Sequence, residues 1–374
     1  MDNIISQIDL TKYDNQTQEF IIRQLKHYFK PVNNTVYKYN EAVTDFLNPS
    51  NFNQQIAWIE IYNDNISVDI YFIENRNTAN IMSSRNNISK DYNFKIILDQ
   101  TRLIHKSITK YPYFVIRTGW DQLCIDSINQ PCMLRTSKRN GAPGTIISDS
   151  STQLPELLNK SINIFKDTNY NNKKNDLVWR GVNSGIESGP LSRNNFVRIF
   201  HEIYDVKFIK SSILDVRDVK IPSDQVGNIL TQEYMGSTYK FQIALNGNTF
   251  SSSFGWNLLS NSVVFSTNEP TKFHTAIYPV EHEDYIPIKD NYSDLEDKIN
   301  YYKNNIDEAS NIAKRGRAYM LKFLNLTDTL TELSLDIIYK LYDQDSLVEA
   351  INILNSTQFT KVSFVKSINN YTIV

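Results

Sequence analysis

The chain has 374 residues, with 39 basic and 41 acidic side chains and a formal net charge of −2. This length corresponds to two domains or one large one, and an apolar share of 41% is enough for a sizeable core. The near-neutral charge argues against a general nucleic-acid-binding protein, which carries a basic surplus. The start of the chain lacks a signal-peptide pattern, and no run of about 18 apolar residues is present, so we expect a soluble, cytoplasmic protein without a membrane span.

The residues that commonly bind metals do not form a typical site. The five histidines are scattered, without the close spacing of zinc ligands. Asp343 and Asp345 form an Asp-x-Asp triplet, but they fall between two predicted helices rather than at the end of a strand. We therefore expect no metal ion and no other cofactor. The two cysteines, Cys124 and Cys132, either pair or remain thiols, and their number is too small to indicate a disulfide framework.

The first part of the chain mixes helical and strand patterns. Apolar residues recur at three and four positions over 15–29, which predicts a helix, and residues 56–73 alternate on both sides of a polar turn, which predicts a hairpin. Helices are also predicted over 93–110 and 153–166, and strands over 113–119 and 144–148. The very polar segment 167–176 then marks a domain boundary.

After this boundary, strands and helices alternate. Strands are predicted at 177–181, 206–210, 241–245, 262–265 and 285–288, and helices at 192–203, 223–234, 252–260 and 293–322. This alternation indicates an α/β domain with a parallel sheet, which binds its ligand beyond the carboxyl ends of the strands. Two further helices, over 331–342 and 346–354, precede a β-like end of the chain.

One stretch points to a phosphate-bearing ligand. The apolar strand 241–245 runs into the small polar residues 246–253, and a predicted helix follows. Such a loop lets the backbone approach an anion, and the start of a helix directs N–H groups at it. Gly247, Asn248, Ser251 and Ser253 either donate to such a ligand or form a solvated turn.

Other candidate residues lie outside this loop or in the helix that follows it. Arg180 either binds phosphate through its guanidinium or is a surface arginine at a strand end. Tyr239 and Trp256 either stack on a base or fill the core. Asp121 either acts as a general base or caps a helix, and Arg193 begins the helix that follows Arg180.

Five short motifs in order carry a resemblance to a known family. They are Trp179-Arg180-Gly181, the arginine Arg193, the strand and Gly-Asn pair from 239 to 248, the serine- and tryptophan-containing segment 251–264, and the segment 285–295. The series resembles glycosyltransferase family 90, which includes Rumi-type protein O-glucosyltransferases and transferases that modify lipopolysaccharide core and capsule. The resemblance covers about 176–324 well and 110–150 weakly.

The resemblance implies a GT-B fold, with two Rossmann-like domains facing across a cleft. The expected division is an acceptor-side domain over 1–170, a nucleotide-sugar-binding domain over 171–325, and a helical extension over 326–374 that packs back on the first domain. The implied reaction is an inverting, metal-independent transfer from a UDP-sugar, with glucose and xylose as first guesses, to a hydroxyl of a glycan, lipid-linked glycan or protein.

The same resemblance implies roles for individual residues. Asp121 matches the general base, and Ser137 and Lys138 match a pair that faces the cleft. The donor would be bound by residues of the second domain, namely Arg180, Gly181, Arg193, Tyr239, Gly247, Asn248, Thr249, Phe250, Ser251, Ser252, Ser253 and Trp256.

Three departures from the family pattern put the donor sugar in question. Ser253 stands where the animal enzymes carry an arginine, Asp284 precedes Tyr285 where the family usually has histidine, and Val182 replaces a serine after the Trp-Arg-Gly motif. Two other functions stay open. One is a non-catalytic binding protein on a degenerate transferase fold, and the other is a metal-dependent GT-A transferase.

Overall fold

A computed structural model gives the fold of the chain. It describes residues 2–29, 36–47, 57–72, 101, 104–106, 108, 110–118, 137–138, 161–183, 192–209, 221–245, 247, 251, 253–267, 273–274, 277–356, 360–367 and 370–373. The described helices are α1 (Asp2–Ile5), α2 (Asn15–Tyr28), α3 (Tyr39–Leu47), α4 (Arg193–Phe200), α5 (Gln232–Thr238), α6 (Phe254–Leu259), α7 (Leu295–Asn304), α8 (Ile306–Asn325), α9 (Thr327–Leu341) and α10 (Leu347–Ser356).

The described strands are short to medium in length. They are β1 (Tyr37–Lys38), β2 (Ala57–Tyr62), β3 (Ser67–Phe72), β4 (Tyr113–Thr118), β5 (Ser137–Lys138), β6 (Lys174–Gly181), β7 (Asp205–Ile209), β8 (Val226–Gly227), β9 (Tyr239–Ala244), β10 (Val263–Ser266), β11 (Phe273–His274), β12 (Ile286–Pro287), β13 (Tyr342–Asp343), β14 (Thr360–Ser367) and β15 (Asn370–Ile373).

The chain divides into two compact units. Unit 1 comprises Met1–Gln153, His274–Ala276 and Leu326–Val374, and unit 2 comprises Leu154–Phe273 and Ile277–Asn325. The predicted domain roles over 1–170, 171–325 and 326–374, and the GT-B arrangement of two domains, stay predictions.

Unit 2 is built on a parallel sheet. Its described strands lie in the order β12-β10-β9-β6-β7-β8, and every neighbouring pair is parallel. Counted along the chain from β6, this order is 3-2-1-4-5-6, the arrangement of doubly wound dinucleotide-binding sheets. The predicted α/β class is confirmed. The strand order reverses between β6 and β9, and doubly wound sheets bind ligands beyond the carboxyl ends of the strands at such a point. We call this side of the sheet the carboxyl edge.

Unit 1 differs from its prediction. Its largest described sheet has the order β15-β14-β3-β2-β4, and each neighbouring pair is antiparallel. A Rossmann-like domain needs mainly parallel strands, so this expectation for the first domain is not confirmed by the residues that the structure describes. The physical reason is local: β2 and β3 are joined by a tight turn, and a short turn can connect only antiparallel strands.

The predicted helix 15–29 and hairpin 56–73 are confirmed by α2 and by the β2–β3 pair. Asp14 caps α2 by accepting a hydrogen bond from the Thr17 amide. Asp64 fixes the hairpin turn, because its carboxylate accepts hydrogen bonds from the amides of Ile66 and Ser67 at 2.8 and 2.7 Å.

Two predicted helices are wrong. Residues 223–234 form a 3₁₀ turn, strand β8 and only the start of α5, because Thr231 caps a new helix by accepting from the Tyr234 amide. The single helix 293–322 is two helices, since Asn305 has non-helical backbone angles and separates α7 from α8. The predicted helix 93–110 and strand 144–148 lie largely or wholly outside the described residues. None of the helices that the structure describes is long and apolar enough to span a membrane.

A buried lysine lies within the polar segment before β6. Lys173 is 5% exposed, and its ammonium donates to the carbonyls of Ser260 and Asn261 and to the hydroxyl of Ser262, at 2.6, 2.9 and 2.8 Å. Burial, with a smaller effect from the charge of Arg317, lowers the pKa of Lys173 from 10.5 to about 7. The folded chain therefore gives up this proton at a lower pH than the unfolded chain.

This shift predicts a pH-dependent stability. Between about pH 7 and the ordinary lysine value of 10.5, the unfolded chain binds a proton that the folded chain lacks, so the free energy of unfolding rises with pH, by at most about 1.4 kcal/mol per unit. This gain in stability is lost as the pH falls to about 7, below which Lys173 is protonated in the folded chain as well. Urea unfolding at about pH 7 and about pH 9.5 should show that the free energy of unfolding increases more with pH in the unaltered protein than in Lys173→Met. Equal gains in both proteins would contradict the shift.

Candidate functional site

One arginine, Arg193, bridges two strands at the carboxyl edge of the parallel sheet. Arg193 is the first residue of α4, whose N-cap Ser192 accepts a hydrogen bond from the Asn195 amide at 3.1 Å. Its guanidinium donates to the carbonyl of Val182, just after β6, at 2.9 Å and to that of Leu245, just after β9, at 2.8 Å. The side chain thus bridges the two strands between which the strand order reverses.

An indole ring supports this guanidinium. The guanidinium carbon of Arg193 lies 5.6 Å from the centre of the Trp179 ring, a cation–π contact. Trp179 is 5% exposed and packs edge-on against Phe196 of α4 and Phe208 of β7, with ring centres 6.0 and 5.7 Å apart. The sheet, the helix and the tryptophan together fix the position of the arginine.

Gly181 is required by the same indole ring. A Cβ atom at this position would lie 2.5 Å from Cζ2 of Trp179, which is closer than real Cβ atoms come. The Trp-Arg-Gly motif therefore has a packing explanation in which the tryptophan folds over its second neighbour. Sequence reasoning placed Gly181 at the site but did not assign this role to Trp179.

Arg180 has a different environment from Arg193. Its side chain is 8% exposed and forms an ion pair with Asp205, and it also donates to the backbone carbonyls of Asp205, Trp179 and Asn228 at 2.7, 3.0 and 3.2 Å. These bonds tie the end of β6 to β7 and to the residue after β8. In this conformation the guanidinium is used within the sheet, so its predicted contact with a phosphate would require an exchange of partners.

Asp205 connects Arg180 to Tyr239. The Tyr239 hydroxyl donates to the Asp205 carboxylate. Burial acts to raise the pKa of Asp205, but the hydrogen bonds from Tyr239 and Arg180 and the charge of Arg180 together hold it below its ordinary value. Burial, reinforced by the negative charge of Asp205, raises the pKa of Tyr239. A carboxylate and a protonated phenol are thus the stable forms of this pair.

Two aromatic candidates lie away from the carboxyl edge or in the core. Tyr239 is the first residue of β9, so it lies at the amino end of the strand, which argues against contact with a ligand at the opposite edge. Trp256 of α6 packs against a buried cluster that contains Val178 and Met235, and its ring stacks on Phe165 with centres 6.4 Å apart. Of the two predicted roles for each residue, the structure supports packing.

The small-residue loop is described at three positions. Gly247 is partly exposed beyond β9. The hydroxyls of Ser251 and Ser253 lie 2.9 Å apart, and the Asn257 side chain reaches Ser253 at 3.4 Å. Ser253 begins α6 without a side-chain capping bond. The loop and the Arg193 bridge both follow β9, so the structure brings these candidates to the same edge.

The remaining candidates lie outside the described residues. They are Asp121, Asn248, Thr249, Phe250 and Ser252, while Ser137 and Lys138 are described only as the backbone of β5. Within the described part of the chain, no group of three or more His, Cys, Asp or Glu side chains is placed to hold a metal ion. The expectation that no metal takes part stays a prediction.

Comparisons with known proteins agree with this geometry. Residues 150–335, which contain the whole six-stranded sheet, match the model of glycosyl transferase family 90. Protein O-glucosyltransferase 3 of Homo sapiens is 36% identical over 81 residues, which are 21% of this chain and 16% of that protein. The Mus musculus protein of the same name is 35% identical over the same lengths. The chain thus aligns with only 16% of the length of these curated relatives.

The close approach of Gly181 and Trp179 predicts the effect of a small substitution. Gly181→Ala should displace the indole, weaken its contact with Arg193 and destabilise the protein by about 1–3 kcal/mol. Urea unfolding and the near-ultraviolet circular dichroism of tryptophan would measure both effects. Gly227→Ala is the comparison for a clash that does not involve the indole, because its Cβ would lie 2.8 Å from Cβ of Lys207 and 3.5 Å from Nε of Arg180. An equal, small loss for both variants would contradict this account of Gly181.

Proposed function

We propose, from the match of residues 150–335 to the model of glycosyl transferase family 90, that the protein transfers a sugar from a UDP-sugar to an acceptor hydroxyl. The proposed transfer inverts the anomeric centre and needs no metal ion. Glucose and xylose are the first candidates for the sugar, and the acceptor is a glycan, a lipid-linked glycan or a protein. A GT-B arrangement of two domains and a cytoplasmic location belong to the same proposal.

The Arg193 bridge is the observation that carries the proposal. In open parallel sheets, ligands bind beyond the carboxyl ends of the strands, at the point where the strand order reverses. Arg193 lies at this point between β6 and β9. A guanidinium has five N–H donors in one plane and suits the paired oxygens of a phosphate. An oriented arginine at a reversal point is therefore suited to bind a diphosphate.

The chemistry assigned to Arg193 is stabilisation of the leaving group. As the acceptor oxygen bonds to the anomeric carbon, the bond from that carbon to the UDP oxygen breaks, and its electron pair remains on the diphosphate. A cation that is already in place stabilises this charge more in the transition state than in the ground state. The indole below Arg193 and the two carbonyls keep the guanidinium in place before the donor arrives.

Arg180 is assigned a supporting role in this scheme. Its bonds to Asp205 and to three backbone carbonyls hold β6 against β7 and β8. Arg193, which bridges β6 and β9 at the reversal point, is the candidate for direct contact with the diphosphate. Gly247, Ser251 and Ser253 would surround the rest of the donor from the loop after β9.

Asp121 is proposed as the general base. Its carboxylate would take the proton of the acceptor hydroxyl while that oxygen attacks the anomeric carbon from the face opposite UDP. Ser137 and Lys138 are proposed to face the reacting groups from the same domain. These three assignments depend on the family resemblance.

UDP binding tests the proposal directly. Arg193→Met should weaken UDP by about 10- to 100-fold, as expected for the loss of charge-assisted hydrogen bonds. Arg198→Met is the matched control, since Arg198 lies on the same helix, is exposed and donates to Asn195. Calorimetric titration with UDP, UDP-glucose and UDP-xylose would measure the affinities.

The outcomes separate the competing functions. Binding of UDP-sugars with release of UDP in the presence of acceptors supports the transferase, whereas binding without any turnover would favour a non-catalytic binding protein. Turnover that depends on Mn²⁺ would favour a metal-dependent transferase. No binding by the unaltered protein, or equal affinity in the two arginine variants, would overturn the proposed site.

A further inference from the structure

Two cations bind the carboxyl end of α6. The ammonium of Lys173 donates to the carbonyls of Ser260 and Asn261, and the guanidinium of Arg317 donates to that of Leu259 at 3.0 Å. Three successive carbonyls at the end of the helix therefore accept hydrogen bonds from charged donors. Positive charge is favourable there, because the last carbonyls of a helix carry partial negative charge.

Both cations come from distant parts of unit 2. Lys173 immediately precedes β6, and Arg317 lies on α8. Arg317 also donates to the carbonyl of Phe165. The end of α6 is thus tied to the start of the central strand and to the longest helix of the unit.

The polar side chains around Lys173 extend this connection to the sheet. The Ser262 hydroxyl donates to the carbonyl of Tyr239, at the amino end of β9, at 2.9 Å. The Gln242 amide donates to the hydroxyls of Ser260 and Ser262 at 2.7 and 3.0 Å. Each of these side chains is almost fully buried, where hydrogen bonds are stronger than in water and costly to leave unmade. The network therefore fixes the end of α6 relative to β9.

Close packing from α8 restricts α6 further. A Cβ atom on Gly316 would lie 2.9 Å from Cδ2 of Leu258, so the absence of a side chain lets α8 approach α6 at the residue before Arg317. At the other end of α6, the ring of Phe254 meets Tyr285 edge-on with centres 5.3 Å apart. The helix is held along its whole length.

α6 has only six residues. Isolated helices of this length are not stable in water, so contacts with the rest of the unit must determine its position. Its first turn is continuous with the small-residue loop. The Phe254 amide donates to the Ser251 carbonyl at 3.1 Å, and the Asn257 amide donates to the Ser253 carbonyl at 2.9 Å. A displacement of the helix therefore moves Ser251 and Ser253.

We propose that Lys173 and Arg317 are positioning residues for the UDP-sugar site, and that they act through α6 on Ser251 and Ser253. The proposal rests on the proposed function. In this scheme Lys173 does not contact the UDP-sugar. Its three hydrogen-bond acceptors lie between the carboxyl end of α6 and the start of β10, whereas the loop precedes the amino end of α6. It holds the helix whose opposite end presents the serines to the donor.

Amide hydrogen exchange tests the positioning without any ligand. At about pH 6, where Lys173 is protonated, amides of peptides covering 251–259 should exchange about 10-fold faster or more in Lys173→Met than in the unaltered protein, because a buried anchor of the helix is lost. Peptides from β9 serve as the internal reference for global opening. Lys174→Met is the matched control, since Lys174 is the next residue and is exposed. Arg317→Lys, which keeps the charge but loses the planar donors, should give an intermediate increase.

UDP affinity supplies the second readout. Lys173→Met should bind UDP about 3- to 10-fold more weakly, because the serines must be ordered again on binding, while Lys174→Met should bind as the unaltered protein does. A role in stability alone would lower the unfolding temperature and leave both the relative exchange of 251–259 and the UDP affinity unchanged, which would overturn the proposal. If Lys173→Met fails to fold, Arg317→Lys decides between the same outcomes.

The two readouts distinguish this proposal from the proposed function. If the unaltered protein binds no UDP, the proposed function fails, while the exchange of 251–259 still shows whether the two cations hold the serine segment. If UDP binds but the exchange of this segment is the same in all four proteins, the positioning role fails and the proposed function stands.

Discussion

The bridge formed by Arg193 is the interaction on which the rest of the account depends. After β6 and β9 the chain continues towards opposite sides of the sheet. The Arg193 guanidinium joins the carboxyl ends of these two strands. The guanidinium of this bridge packs on the indole ring of Trp179. This position of the indole in turn requires glycine at residue 181, because any side chain there would overlap with the ring. A short motif thus follows from one packing constraint.

The cationic side chains of unit 2 occupy different kinds of position. Arg193 faces the edge where a ligand of a doubly wound sheet binds. Arg180, Lys173 and Arg317 also donate to carbonyls, as Arg193 does, and Arg180 pairs with a carboxylate as well. Lys173 and Arg317 stabilise one helix end, Arg180 stabilises neighbouring strands, and Arg193 bridges the two strands at the reversal point.

Much of the fold could be predicted from local patterns, because α2, the β2–β3 hairpin and the strands β6, β7, β9, β10 and β12 follow from apolar spacing and turn residues. The strand order could not, since it depends on contacts between distant segments. Sequence reasoning could not assign different environments to Arg180 at a strand end and Arg193 at a helix start, because only the fold gives Arg180 its partner Asp205. Lys173 was missed because a lysine in a polar run normally indicates a solvated loop. Asp121 stays a prediction.

A crystal structure of the protein with UDP would test the central claim most directly. We predict that the diphosphate lies beyond the carboxyl ends of β6 and β9, with its oxygens about 3 Å from the guanidinium of Arg193. The serines of the loop after β9 should lie beside the same ligand. A diphosphate bound at any other edge of the sheet, with the Arg193 guanidinium making no contact to it, would contradict the account.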